Sequence, residues 1–170
     1  MRILDFKTLL CIYLFFTFGM SSSVVNAEEW TVSQLVRFGE FRHPTTFKRL
    51  KAVWEEPDFQ GSQAALNTSN MSDGVMNIEF NIEYHDLDEM WNQDLQKNHS
   101  YIHYKVKKND WYVVSGVNSY GMVFYTKAWY IETMCVSIRF LYPNKYSSKY
   151  DRLLEQMLKG FKPKLVLADF

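Results

Sequence analysis

Cysteine is nearly absent: this chain of 170 residues has two, Cys11 and Cys135. Long apolar runs are missing as well. Leu9 to Met20 (LLCIYLFFTFGM) is about 12 residues, against the roughly 20 that a membrane-spanning helix needs. Arg2 and Lys7 flank that run with positive charge, and Val25-Asn26-Ala27 offers small residues before a cut at Glu28. Residues 1–27 are therefore expected to be a secretory leader, not an anchor, and residues 28–170 a single exported domain, periplasmic or secreted. Cys11 is not expected to carry a lipid, because Leu10, not a small residue, precedes it and the apolar run continues past it.

Charge of one sign is lacking too. Of 19 basic residues, Arg2 and Lys7 leave with the leader; of 19 acidic ones, Asp5 leaves. That gives 17 against 18, a net charge of −1. Such a chain has no global field to recruit nucleic acid or an anionic membrane, so neither is an expected partner. With one cysteine remaining, no internal disulfide can form, and the core must hold without a covalent staple. There is no internal repeat and no low-complexity block. No G-x-S-x-G elbow is present either; Ser115 precedes Gly116 in the middle of an apolar run, and with His43, His85, His99 and His103 as the only candidate bases no nucleophile–base set assembles, so a serine-based enzyme is not expected.

What the chain does have is an aromatic, β-branched stretch from Trp111 to Tyr142, cut into three runs by two turn signals. It reads as a three-stranded antiparallel meander at the centre of the only sheet. Upstream, Val75–Tyr84 alternates Met76, Ile78, Phe80, Ile82 and Tyr84 against Asn77, Glu79, Asn81 and Glu83, a strand with one wet side. Asp86, with Glu89 three residues on, predicts the start of a helix over Leu87–Lys97. Tyr101–Lys107 predicts a strand with Ile102, Tyr104 and Val106 on one face and His103, Lys105 and Lys107 on the other. Ser148 is expected to cap a last helix with the apolar stripe Leu153, Leu154, Met157, Leu158 and Phe161, stopped by Gly160 and Pro163. The N-terminal part is less regular. Val36–Arg42 suits a short strand, Thr45–Trp54 suits a helical turn or two or a strand, and Gln60–Gly74 reads as loop with a short strand at Ala64–Leu66. Leu165–Leu167 suits an added edge segment. With Tyr101–Lys107 added to the three runs, the order is strand, helix, four-stranded meander and C-terminal helix, and short turns between strands with helices set apart indicate an α+β fold with an antiparallel sheet.

Several short blocks carry a resemblance. They are Trp111-Tyr112-Val113-Val114-Ser115-Gly116, Phe124-Tyr125-Thr126-Lys127, Tyr142-Pro143, Tyr150-Asp151 and Phe161-Lys162-Pro163, with Asp73-Gly74 ahead of them. Together, over roughly residues 73 to 163, they resemble small exported proteobacterial proteins of unassigned function with a PsbP-like fold. Proteins with that wider fold include photosystem accessory proteins, periplasmic proteins and chaperone-like or immunity-like partners of secreted toxins. The resemblance implies a binding or accessory role and carries over no ligand residue and no cofactor.

The residues themselves offer three candidate sites. Tyr112, Tyr125 and Trp129 crowd the sheet, and strand alternation suggests a partly uncovered aromatic face there, suited to a protein partner or a small ligand. Cys135 reads as a buried residue under a helix, with an intermolecular disulfide as the sharper alternative. His85, His99 and His103 are the only imidazoles placed to hold a metal, yet Asp86, Asp88 and Glu89 beside them are explained by helix capping, so no metal is expected. The expected function is a non-enzymatic exported protein that binds a protein partner, as inhibitor, immunity factor, chaperone or virulence accessory. The alternatives are a small-ligand module using the aromatic face, or a metal-dependent enzyme on the three histidines.

Overall fold

The structure is a computed structural model that describes residues 28–35, 38–53, 68–97 and 99–164. The leader, the strand expected at Ala64–Leu66 and the edge segment at Leu165–Leu167 lie outside the described residues.

The chain order is β1 (Trp30–Leu35), β2 (Gly39–Pro44), β3 (Lys48–Val53), β4 (Thr68–Ser72), β5 (Asn77–Glu83), α1 (Leu87–Gln96), β6 (His99–Lys107), β7 (Trp111–Asn118), β8 (Met122–Ile131), β9 (Met134–Pro143), a 3₁₀ turn (Asn144–Tyr146) and α2 (Ser147–Leu158). This is the expected α+β class with antiparallel sheets and a C-terminal helix. The main sheet has seven strands in the order β3-β4-β5-β9-β8-β7-β6, every pair antiparallel. The expected meander is present as β6 to β9, and β9, not the middle of the meander, is the central strand. It is not the only sheet: β1 and β2 pair as a separate two-stranded ribbon. The mixed periodicity of Glu28–Gly39 hid that ribbon, because most of β1 stays wet and only Leu35 is fully buried. Thr45–Trp54 resolves to the strand β3, and part of the expected loop is the strand β4.

Each face of the main sheet has its own helix. On one face, β5 and β9 present Ile78, Phe80, Ile82, Val136, Ile138, Phe140 and Tyr142, all fully buried. Against them pack α2, through Leu153, Leu154 and Met157, and the ribbon, through Phe38 and Phe41. Phe41 meets Phe80 and Phe161 edge-on, with ring centroids 5.0 and 5.3 Å apart. Burying rings of that size is the largest favourable term in such a core. On the other face, α1 covers Tyr112, Val114, Phe124, Ala128 and Cys135 with Leu87 and Met90.

The helix starts differ from each other. Asp86 caps α1 as expected, its carboxylate accepting the Glu89 amide at 2.7 Å. The Glu89 side chain does not close the box; it reaches His85 instead. Ser148 does not cap α2, which begins at Ser147 directly from the 3₁₀ turn and has no side-chain cap. Among the described residues no helix is long and apolar enough to cross a membrane.

Candidate functional site

A broad concavity lies between the α2 face of the sheet and α2 itself. It starts from one of two register shifts between β6 and β7. Ile102 pairs with Gly116 and Tyr104 with Ser115, so His103 is one residue too many and the strand bulges. Gly116 permits this: a Cβ there would overlap the Tyr101 carbonyl oxygen and lie 2.9 Å from the Ile102 Cα. A bulge re-aims a side chain and bends an edge. Here it moves His103 from the face of Lys105 to the α2 face, where its ring meets Tyr101 edge-on at 4.6 Å. The expectation that His103 shares a face with Lys105 and Lys107 is thereby corrected, as is the expectation that Ile102 shares a face with Tyr104.

The resulting groove has a volume of about 850 Å³. Its sheet wall is His103, Ser115, Val117, Val123 and Tyr125; its helical wall includes Asp151, Leu154, Glu155 and Lys159. Tyr142 and Asp151 tie the two walls together, the phenol donating to the carboxylate. Burial and that bond push the Tyr142 phenol well above its ordinary range. Burial, with Tyr104 close by, pushes Tyr125 up to about 12, so both rings stay neutral donors at physiological pH. Tyr150, buried on α2 with its ring 5.4 Å from that of Tyr142, donates to Asp73 at 2.7 Å and locks the helix to the β4–β5 turn. The groove thus offers apolar and aromatic walls with two carboxylates on successive turns of one helix, one of them already engaged.

The aromatic triplet suggested by the sequence does not act as one surface. Tyr125 lines the groove. Trp129 lies on the same face but beyond it, against Phe161 at 5.8 Å and Lys127 at 4.9 Å. Trp111 flanks the same ammonium at 5.5 Å, and burial lowers the Lys127 pKa. Tyr112 faces the other way. It is 0% exposed under α1 and donates to Asp94 at 2.6 Å. Adjacent residues on a strand point to opposite faces, and a pattern apolar on both sides does not reveal which ring is covered.

Cys135 is buried against α1, and burial pushes its thiol up to about 12. In this fold the side chain does not reach the surface that an intermolecular bond requires. The three histidines are separated. His85 sits at the start of α1, with Nδ1 2.9 Å from a Glu89 oxygen but without hydrogen-bond geometry. His103 is in the groove on the opposite face, and His99 opens β6 across from Asn118. Among the described residues no three metal-ligating side chains gather. Ser115 and His103 share the groove, yet no hydrogen bond joins them there. Sequence reading missed the groove because its helical wall, Asp151 and Glu155, reads as the solvated face of α2. The signal that was available was Gly116, since a glycine inside a strand often marks a bulge.

No protein-family model matches the chain, and no curated protein matches it. Among solved structures it is similar to the solution structure of cyanobacterial PsbP (CyanoP) from Synechocystis sp. PCC 6803. The identity is 11%, the TM-score 0.49, and the match covers 86% of this chain and 99% of that one. The likeness is one of fold and says nothing of a ligand or partner.

Proposed function

We propose that the chain is an exported accessory protein that binds a protein partner through the groove between α2 and the sheet, rather than an enzyme. The observation that carries this reading is a set of tyrosines around the rim. Tyr101, Tyr104, Tyr120 and Tyr146 are 63, 55, 87 and 40% exposed. Tyr101 and Tyr104 pair with Val117 and Ser115, which line the groove. Tyr120 is in the turn joining β7 to β8, and Tyr146 lies between Asn144 and Ser147, two more lining residues. Exposed tyrosine is enriched where proteins meet, because it brings a large rigid ring and a polar tip at little entropic cost. The leader-like start and the block resemblance to small exported proteobacterial proteins support action at the cell envelope or outside the cell. Inhibitor, immunity factor, chaperone and virulence accessory are the tasks this fits.

A small-ligand module is the second reading, favoured by the groove's size, since about 850 Å³ falls within the roughly 300–1,000 Å³ of small-molecule pockets. Site-specific photo-crosslinking in cells separates the two. A benzophenone amino acid at Tyr104 should give a discrete protein adduct, and one at Asn92, exposed on α1, should give none. Equal adducts at both positions, or none at either, would contradict the protein-partner reading.

A further inference from the structure

The ribbon holds a feature that the groove does not use. In β1 and β2, Ser33 lies opposite Phe41 and Thr31 opposite His43, so Ser33 and His43 are diagonal neighbours on one face. At that spacing side chains reach each other. Ser33 Oγ lies 2.7 Å from His43 Nε2, and His43 Nδ1 lies 2.8 Å from the Pro44 carbonyl oxygen. A carbonyl only accepts, so Nδ1 carries the proton and donates to it. In the neutral ring Nε2 is then the acceptor, and the Ser33 hydroxyl donates to it. His43 is 3% exposed and stacked on Phe41 at 6.0 Å, which holds the ring in that orientation; Ser33 is half-buried. This is a hydroxyl on a base whose tautomer is fixed by a third group, the arrangement that activates a serine nucleophile.

We propose that Ser33 is a nucleophilic serine that accepts an acyl group from an activated ester. The Ser33 Oγ bonds to the ester carbonyl carbon while its proton passes to His43 Nε2. The carbon–oxygen bond to the alcohol breaks, and the imidazolium returns the proton to the departing alkoxide. The products are acyl-Ser33 and a free alcohol, with His43 neutral again. One covalent event is claimed, not turnover, and it is independent of what occupies the groove.

An alkyl fluorophosphonate reports the same step. The Ser33 Oγ–phosphorus bond forms, the phosphorus–fluorine bond breaks, fluoride leaves, and the proton passes through His43 to water. Full-length chain treated with this probe should gain one adduct by intact mass, mapped to Ser33 by peptide sequencing. Labelling should be about a hundredfold faster than in urea-unfolded chain, the usual gain from a positioned base. Ser33→Ala should lose the adduct with an unchanged circular dichroism spectrum. His43→Gln should slow labelling by a similar factor; if that variant unfolds, the mapped adduct and Ser33→Ala still decide. A native chain with no adduct at Ser33, or one labelled no faster than the unfolded chain, would overturn the proposal.

Discussion

Cys135 is an example of a residue whose chemistry is set by its neighbours. On β9 it faces α1 beside Leu87 and Met90, and the cost of burying a thiolate keeps its proton on. The native pKa of about 12 exceeds the ordinary value of 9.0. Between those values the unfolded chain has released the proton and the native chain has not, so the unfolded state binds fewer protons and stability falls as pH rises. The contribution is fully present below about 9 and gone above about 12. Urea unfolding followed across that range should show the decline, and Cys135→Ala should flatten part of it. A maleimide reagent should not label native Cys135 until the chain unfolds. The burial was legible from the sequence, since the strand alternation put Cys135 under a helix. The fate of Tyr112 was not. Its ring looks like that of Tyr125 in a run apolar on both faces, and only the docking of α1 decides that one is sealed and bonded to Asp94 while the other lines a groove.

Elements with strong periodicity were the readable ones. β5, α1, β7, β8, β9 and α2 follow from alternation, from the Asp86 cap and from an apolar helical stripe. β1 did not, and β2 and β3 did so only in part, as a short strand at Val36–Arg42 and as one of two alternatives at Thr45–Trp54, because short strands with wet residues give little pattern to count. The bulge in β6 escaped for another reason: alternation assumes an unbroken register, and one extra residue reverses every face beyond it. Gly116 is what makes that extra residue possible. Gly116→Ala should therefore force β6 away from β7, with a loss of about 1–3 kcal/mol, the range for overpacking. Chemical denaturation measures the loss. Amide hydrogen exchange should show the change concentrated in β6 and β7, with α1 and β5 unaffected. A variant as stable as the parent would mean that the bulge does not depend on the missing side chain.

At the scale of the whole molecule, the seven-stranded sheet carries a helix on each face, and the two helices do different work. α1 seals its face around Tyr112, Phe124 and Cys135. α2 covers the β5–β9 side of its face, is pinned by Tyr142 to Asp151 and by Tyr150 to Asp73, and leaves the β6–β8 corner open. That open corner, with tyrosines at its rim, is where binding is proposed. The sharpest measurement fills it from within. Ser115 is half-buried on the groove wall, and Ser115→Trp places an indole in the space without touching the main core. In cells carrying the Tyr104 crosslinker, this substitution should abolish the protein adduct while the melting temperature stays within a few degrees of the parent. An adduct of undiminished yield from a folded Ser115→Trp chain would contradict binding at this groove.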